Sequence, residues 1–181
     1  MRNGKLQILE DRIVCEELGI IMMDWEQPLM KRHAEIVCKN GGDILEIGFG
    51  MGMSAGYIQS HSITSHTIIE NHPDIITRAE AWASGKSNVT IITGSWYEVK
   101  DNLSTYDGLF YDTWGDDNMI NFSSSLSTLV KQGGVATWWN SNASESNYYN
   151  IPNVTYTQYS VNPPSNSYFN NTTYYLPQCQ L

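Results

Sequence analysis

The sequence is short of basic groups and of cysteine, and it has no long apolar run. Ten Lys and Arg stand against 19 Asp and Glu, a formal charge of -9 over 181 residues. The basic residues are scattered, with only Lys31 and Arg32 adjacent. Neither a phosphate-gripping surface nor a basic face for an anionic membrane can be assembled from them. An acidic cleft would suit a cationic ligand instead. The three cysteines, Cys15, Cys38 and Cys179, are odd in number and lack CxxC spacing, so neither a disulfide framework nor a zinc site is indicated. A reducing cytoplasm is the expected setting. No apolar stretch reaches membrane-spanning length, and no basic segment followed by an apolar one opens the chain. The expectation is a soluble protein, monomeric by preference, with no nucleic-acid or membrane partner and no metal.

What is present is a rhythm of short apolar runs, at 43–47, 67–70, 89–93, 106–111 and 135–139. The gaps between the first four are long enough for crossover helices. Strands alternating with helices imply a parallel sheet covered on both faces. A helix over about 28–39 precedes the first of these strands. Its expected core positions are Leu29, Ile36 and Val37. After Trp139 the text NSNASESNYYNIPN is too polar and turn-rich for a helix. The stretches VTYTQYSV and SYFNNTTYY around NPPSN then read as an antiparallel hairpin at the sheet edge. Length predicts one domain over 21–181. Residues 1–20 form an arm that either packs over the mouth of the site or frays.

The most informative segment is GGDILEIGFGMGMSAGYIQ, a strand running into Gly48, Gly50 and Gly52 and then into a small-residue helix start. Glycines there permit a tight turn and close approach of a ligand to the backbone. Counted from Gly48, the dinucleotide pattern G-x-G-x-x-G/A fails at Met53. Glu46 in the strand, the E-x-G-x-G-x-G spacing and the acid Glu70 closing the next strand instead resemble the S-adenosylmethionine loop of class I methyltransferases. Glu70 lies roughly 20 residues downstream, where a ribose-binding acid sits in such folds. Trp96, after the following strand, offers a flat face for an adenine or else fills the core. Asp112 closes the strand 106–111, at the carboxyl end where open α/β sheets bind ligands. Gly115-Asp116-Asp117 behind it already supplies turn and cap chemistry. The Asn162-Pro163-Pro164 triplet comes too late, and ends in Ser165, for a base-flipping motif, so it reads as a hairpin turn.

One stretch raises a question of its own. IMMDWEQPLM places Asp24 and Glu26 in an apolar run. Either the acids cap the helix that Pro28 begins, or one of them is held partly dry to bind a cation.

Together with HTIIENHPD, GSWYEV, YDGLFYDTW and GGVATWWN, these segments resemble the guanidinoacetate N-methyltransferases and related arginine N-methyltransferases over roughly residues 20–140. The W-E-x-P-x-M stretch carries the likeness more specifically than the glycine loop does. The resemblance implies a Rossmann-like α/β fold, abbreviated after the fifth strand. It also implies S-adenosylmethionine as methyl donor, S-adenosylhomocysteine as product, and a small guanidino substrate, guanidinoacetate first. The alternatives are another cation such as arginine, or a non-catalytic cofactor-binding protein. By motif position it makes Glu26 and Asp112 the guanidino-binding and catalytic pair, with Asp112 also near the cofactor. Gly48, Gly50, Gly52, Glu70 and Trp96 become cofactor contacts, with Glu46 and Met30 as weaker ones. Backbone at Asn140, Ser141, Asn142 and Ala143 falls where the family holds the substrate carboxylate. Trp114 stands where the family pattern has tyrosine.

Overall fold

The computed structural model describes residues 4–142, 144–145 and 149–181. The arm becomes a small antiparallel sheet of β1 (Leu6–Ile8), β2 (Arg12–Cys15) and β3 (Gly19–Met23). It packs rather than frays, because Ile13 and Met22 are buried against Met30, Phe49 and Ile75 of the main core. A single 3-10 turn, Asp24–Glu26, leads into α1 (Gln27–Val37), with Pro28 in its first turn, where the missing N–H costs nothing. Leu29, Met30, His33, Ala34 and Val37 bury one face of α1 at helical spacing.

The rest of the chain alternates strands and helices as its text predicts. The elements are β4 (Asp43–Ile47), α2 (Met53–Gln59), β5 (Ser65–Glu70), α3 (Pro73–Ala83), β6 (Val89–Thr93), α4 (Trp96–Val99), β7 (Tyr106–Tyr111), α5 (Phe122–Leu129) and β8 (Val130–Trp138). They are followed by β9 (Val154–Ser160) and β10 (Thr173–Gln180). The large sheet has the order β6-β5-β4-β7-β8-β10-β9. Its first five strands are parallel, and β10 runs antiparallel to both β8 and β9. This is the mainly parallel α/β sheet with an antiparallel C-terminal hairpin. Ile44, Leu45, Leu109 and Phe110 have no measurable exposure, as expected where helices cover both faces.

Three details differ from the reading of the text. The β6–β7 crossover has only the one-turn α4 and a 3-10 turn at Lys100–Asn102. Residues 167–172, read as strand, form a turn. Its cause is Asn166, whose Oδ1 accepts the N–H groups of Tyr168 and Phe169 at 2.9 and 2.7 Å. The strand starts instead at Thr173 and runs on through Pro177. Pro177 donates no backbone hydrogen bond, and the β8 ladder pairs with β10 only beyond it, at Cys179 and Gln180. Phe169, 1% exposed, anchors the turn, and such a burial contributes roughly 1.5–3 kcal/mol. Among the described residues, no helix is long and apolar enough to cross a membrane.

At the opposite end of the sheet from the site, Lys131 Nζ bridges Asp107 at 2.7 Å and Asp43 at 3.2 Å, tying the starts of β4 and β7 to β8.

Candidate active site

The strand order reverses between β4 and β7, and in such sheets the crevice beyond the carboxyl ends at this point is where ligands bind. A cavity of about 560 Å³ opens there, within the size range of small-ligand sites. Gly48 leaves β4 with φ +94°, and a Cβ on it would lie 1.9 Å from the Asp112 carbonyl oxygen. Only glycine lets the loop and the end of β7 close together here. Gly50 has φ +53° and meets the arm, since a Cβ there would sit 2.5 Å from Met22 Sδ. Residues 1–20 therefore include part of the cavity wall: Leu6, Ile13, Cys15 and Leu18 line it.

Glu70, at the end of β5, accepts the N–H groups of Phe49, Asn71 and His72 at 2.8–2.9 Å. These bonds fix the carboxylate on the cavity wall.

Glu26 and Asp112 line the same cavity from different elements. Glu26 does not cap α1. Its Oε1 reaches back to the Met23 N–H at 2.9 Å and accepts the Tyr168 hydroxyl, so the capping reading holds only for the 3-10 turn. Burial, reinforced by the Asp112 charge, pushes its pKa up to about 8. Asp112 is pushed up to about 7 by burial and by the charges of Glu46 and Glu70, with no hydrogen bond or cation among the described residues to offset them. Two carboxylates reluctant to ionise are poised to take a cation and a proton.

The segment after β8 is set by a buried relay. Thr137 Oγ1 donates to the Pro177 carbonyl, so it accepts from His33 Nδ1 at 2.7 Å. Nε2 then accepts the Tyr174 hydroxyl at 2.9 Å, and the Tyr174 oxygen accepts the Asn140 N–H at 3.0 Å. Desolvation holds the His33 pKa down to about 3, keeping it neutral, which this order of donors requires. Asn140 Oδ1 in turn accepts the Asn142 N–H at 3.0 Å. Two of the backbone donors expected to hold a substrate carboxylate are thus engaged within the protein. Ala143 lies outside the described residues.

Of the residues singled out in the text, Glu26, Gly48, Gly50, Glu70, Trp96, Asp112, Asn140, Ser141 and Asn142 come together on one cavity. Three expected cofactor contacts do not line it. Met30 has no exposure and packs in the core beside Ala34 and Phe110. Glu46 lies beneath the loop, accepting Ser54 Oγ–H and bonding His66 Nε2 at 2.9 Å. Gly52 is the left-handed N-cap of α2, turned toward the Phe49 ring. Trp96 combines both of its readings: it lines the cavity, yet it is 3% exposed and packs edge-on against Tyr111 and Phe122. Two lining residues had escaped notice. Asp116, taken as turn chemistry, accepts from Trp96 Nε1, from the Tyr111 hydroxyl and from the Asn118 N–H. Tyr168 comes from the last turn, and no local pattern ties it to Glu26.

Fold and cavity position define the class: the Rossmann-like α/β fold of class I methyltransferases, open at the switch point of its sheet. The sequence profile of guanidinoacetate N-methyltransferase matches residues 11–160, and the chain belongs to that family. Among curated relatives, protein arginine N-methyltransferase 2 of Saccharomyces cerevisiae is 29% identical over 96% of this chain and 51% of its own length. The Candida glabrata protein of that name is 33% identical over 76% of this chain and 37% of its own. The chain spans about half or less of the length of these relatives. Among solved structures, a precorrin-6y C5,15-methyltransferase from Geobacter metallireducens has a TM-score of 0.66 at 13% identity, over 92% of this chain and 91% of that one. Spermidine synthase from Thermotoga maritima gives 0.65 at 12%, over 96% and 71%. Both show the fold alone.

Proposed function

We propose that the chain methylates a nitrogen of a guanidino group. The observation that carries this reading is that Glu26 and Asp112 share one cavity with the Gly48 loop and Glu70. The residues fit S-adenosylmethionine: Glu70 is a fixed carboxylate suited to ribose hydroxyls, and Gly48 and Gly50 let the cavity run along bare backbone. When bound, that cofactor supplies an electrophilic methyl group on a sulfonium.

The protein's own part is to bind and deprotonate. A guanidinium is planar with forked donors, and carboxylates at Glu26 and Asp112 can hold it in one orientation by charge-assisted bonds. Holding it still does much of the work, since the entropy of orientation is lost on binding rather than in the barrier. A nitrogen that gains a methyl group must release a proton, and Asp112, with its proton affinity raised to about 7, is suited to accept it near neutral pH.

Of the two guanidine carriers the family suggests, the lining favours an arginine-type side chain over guanidinoacetate. Its described residues include four carboxylates, Glu26, Glu70, Asp112 and Asp116, and no Lys or Arg. A substrate carboxylate would meet no Lys or Arg among the described lining residues, and the Asn140 and Asn142 N–H groups are engaged. The names of the curated relatives point the same way. The test is transfer of labelled methyl from S-adenosylmethionine to guanidinoacetate, free arginine, agmatine and an arginine peptide. Carboxylate-free guanidines should turn over best. Absence of transfer to every guanidine, or full activity in both Glu26→Gln and Asp112→Asn, would overturn the reading.

A further inference from the structure

Tyr168 lies 142 positions from Glu26, yet its hydroxyl reaches Glu26 Oε1. The same phenol oxygen accepts the Trp25 indole N–H at 3.0 Å. An indole only donates, so the phenol proton is directed to the carboxylate. Oε1 also accepts the Met23 N–H. Among the described residues Oε2 has no hydrogen-bond partner, and Glu26 lines the cavity. The turn that carries Tyr168 is built for rigidity. Asn166 accepts two N–H groups and donates at 2.8 Å to the carbonyls of Pro164 and Phe169, while the Phe169 ring is packed against Trp25, Trp139 and Tyr174.

We propose that Tyr168 is a positioning residue for Glu26: it occupies Oε1, so that the side chain is fixed with Oε2 alone offered to the substrate guanidinium. The proposal rests on the reading that this cavity binds a guanidinium through Glu26. The groups facing Glu26 are Asp112 at the end of β7, Tyr168 from the turn and Tyr174 from β10. Burial and Asp112 oppose ionisation of Glu26, and the Tyr168 hydroxyl and Met23 N–H favour it. Tyr168→Phe keeps the ring on Trp25 and removes only the donor.

The experiment follows the Glu26 side-chain carboxyl by carbon NMR through a pH titration, its signal assigned with Glu26→Gln, in the parent protein and in Tyr168→Phe. Losing one hydrogen bond to a charged group should raise the midpoint by about one pH unit. Steady-state kinetics with the best guanidine of the panel should then show KM about tenfold higher at pH 7, converging with the parent near pH 10, where both forms of Glu26 are ionised. The substrate guanidinium stays charged across that range. The kcat and the affinity for S-adenosylhomocysteine should change by less than about twofold, well short of the tenfold per unit expected of KM. An unmoved midpoint, or a KM raised equally at every pH, overturns the proposal. A moved midpoint with no guanidine methylated by the parent sinks the guanidino reading and leaves the hold of Tyr168 on Glu26 standing. Should Tyr168→Phe fail to fold, Trp25→Phe tests the same link by weakening the phenol donor, and it must shift the midpoint upward by a smaller amount.

Discussion

Replacing Asp112 by asparagine should end turnover and at the same time stabilise the protein. The Asp112 carboxylate has burial and two neighbouring acids against it, which move its pKa from 3.8 to about 7. The folded protein therefore keeps the proton up to about pH 7, while the unfolded chain releases it near 3.8. Between those values the unfolded state binds fewer protons, so stability falls as pH rises through the window. Three units correspond to at most about 4 kcal/mol, and solvent in the cavity reduces this to about 2 kcal/mol above pH 8. An amide carries no charge to bury, so Asp112→Asn should recover that amount, or about 4–8 °C in melting temperature for a chain of this size. The assay is thermal unfolding by circular dichroism at pH 8 and pH 4, with S-adenosylhomocysteine affinity measured alongside. The gain should be present at pH 8, nearly vanish at pH 4, and leave cofactor affinity within a few-fold. A variant that melts no higher than the parent at pH 8, or gains equally at both pH values, would refute the like-charge argument. Loss of cofactor affinity would instead make Asp112 a structural support of the Gly48 loop.

Three further perturbations separate the parts of the site. Gly48→Ala forces a methyl group onto the Asp112 carbonyl and a side chain into φ +94°; about 2–4 kcal/mol of stability should be lost, with the cofactor response, and equal melting curves would contradict the crowding. Glu70→Gln puts an amide N–H against one of three backbone donors; S-adenosylhomocysteine affinity by calorimetry should fall about ten- to a hundredfold, and an unchanged affinity would remove Glu70 from the cofactor site. Lys131→Met breaks the tie to Asp43 and Asp107 at the far end of the sheet; it should lower the melting temperature slightly and leave both affinities intact, whereas a change in affinity would show that the two ends of the sheet are coupled.

Much of this was written locally. The strands at 43–47, 89–93 and 106–111 coincide with β4, β6 and β7, because short apolar runs bounded by turn residues carry strand information within a few residues. Gly48, Glu70 and Asp112 were legible for the same reason: each closes a strand, and in a parallel sheet strand ends meet at one edge. The sequence alone thus determined the α/β class, the end of the sheet at which the cavity opens and the acidic character of its lining.

Local text misplaced what tertiary contacts decide. Glu46 and Met30 sit in the right motifs, but the side-chain alternation of β4 turns Glu46 under the loop toward His66, and the buried face of α1 takes Met30 into the core. SYFNNTTYY looks like strand, yet Asn166 folds its first half into a turn and delivers Tyr168 to Glu26. The relay from His33 through Tyr174 to Asn140 joins α1, β8 and β10. Partners 34 to 141 residues apart leave no spacing to read. The pKa values depend on them too, since a carboxylate in sequence is simply an acid, and only burial beside other carboxylates turns Glu26 and Asp112 into groups that hold protons near neutral pH.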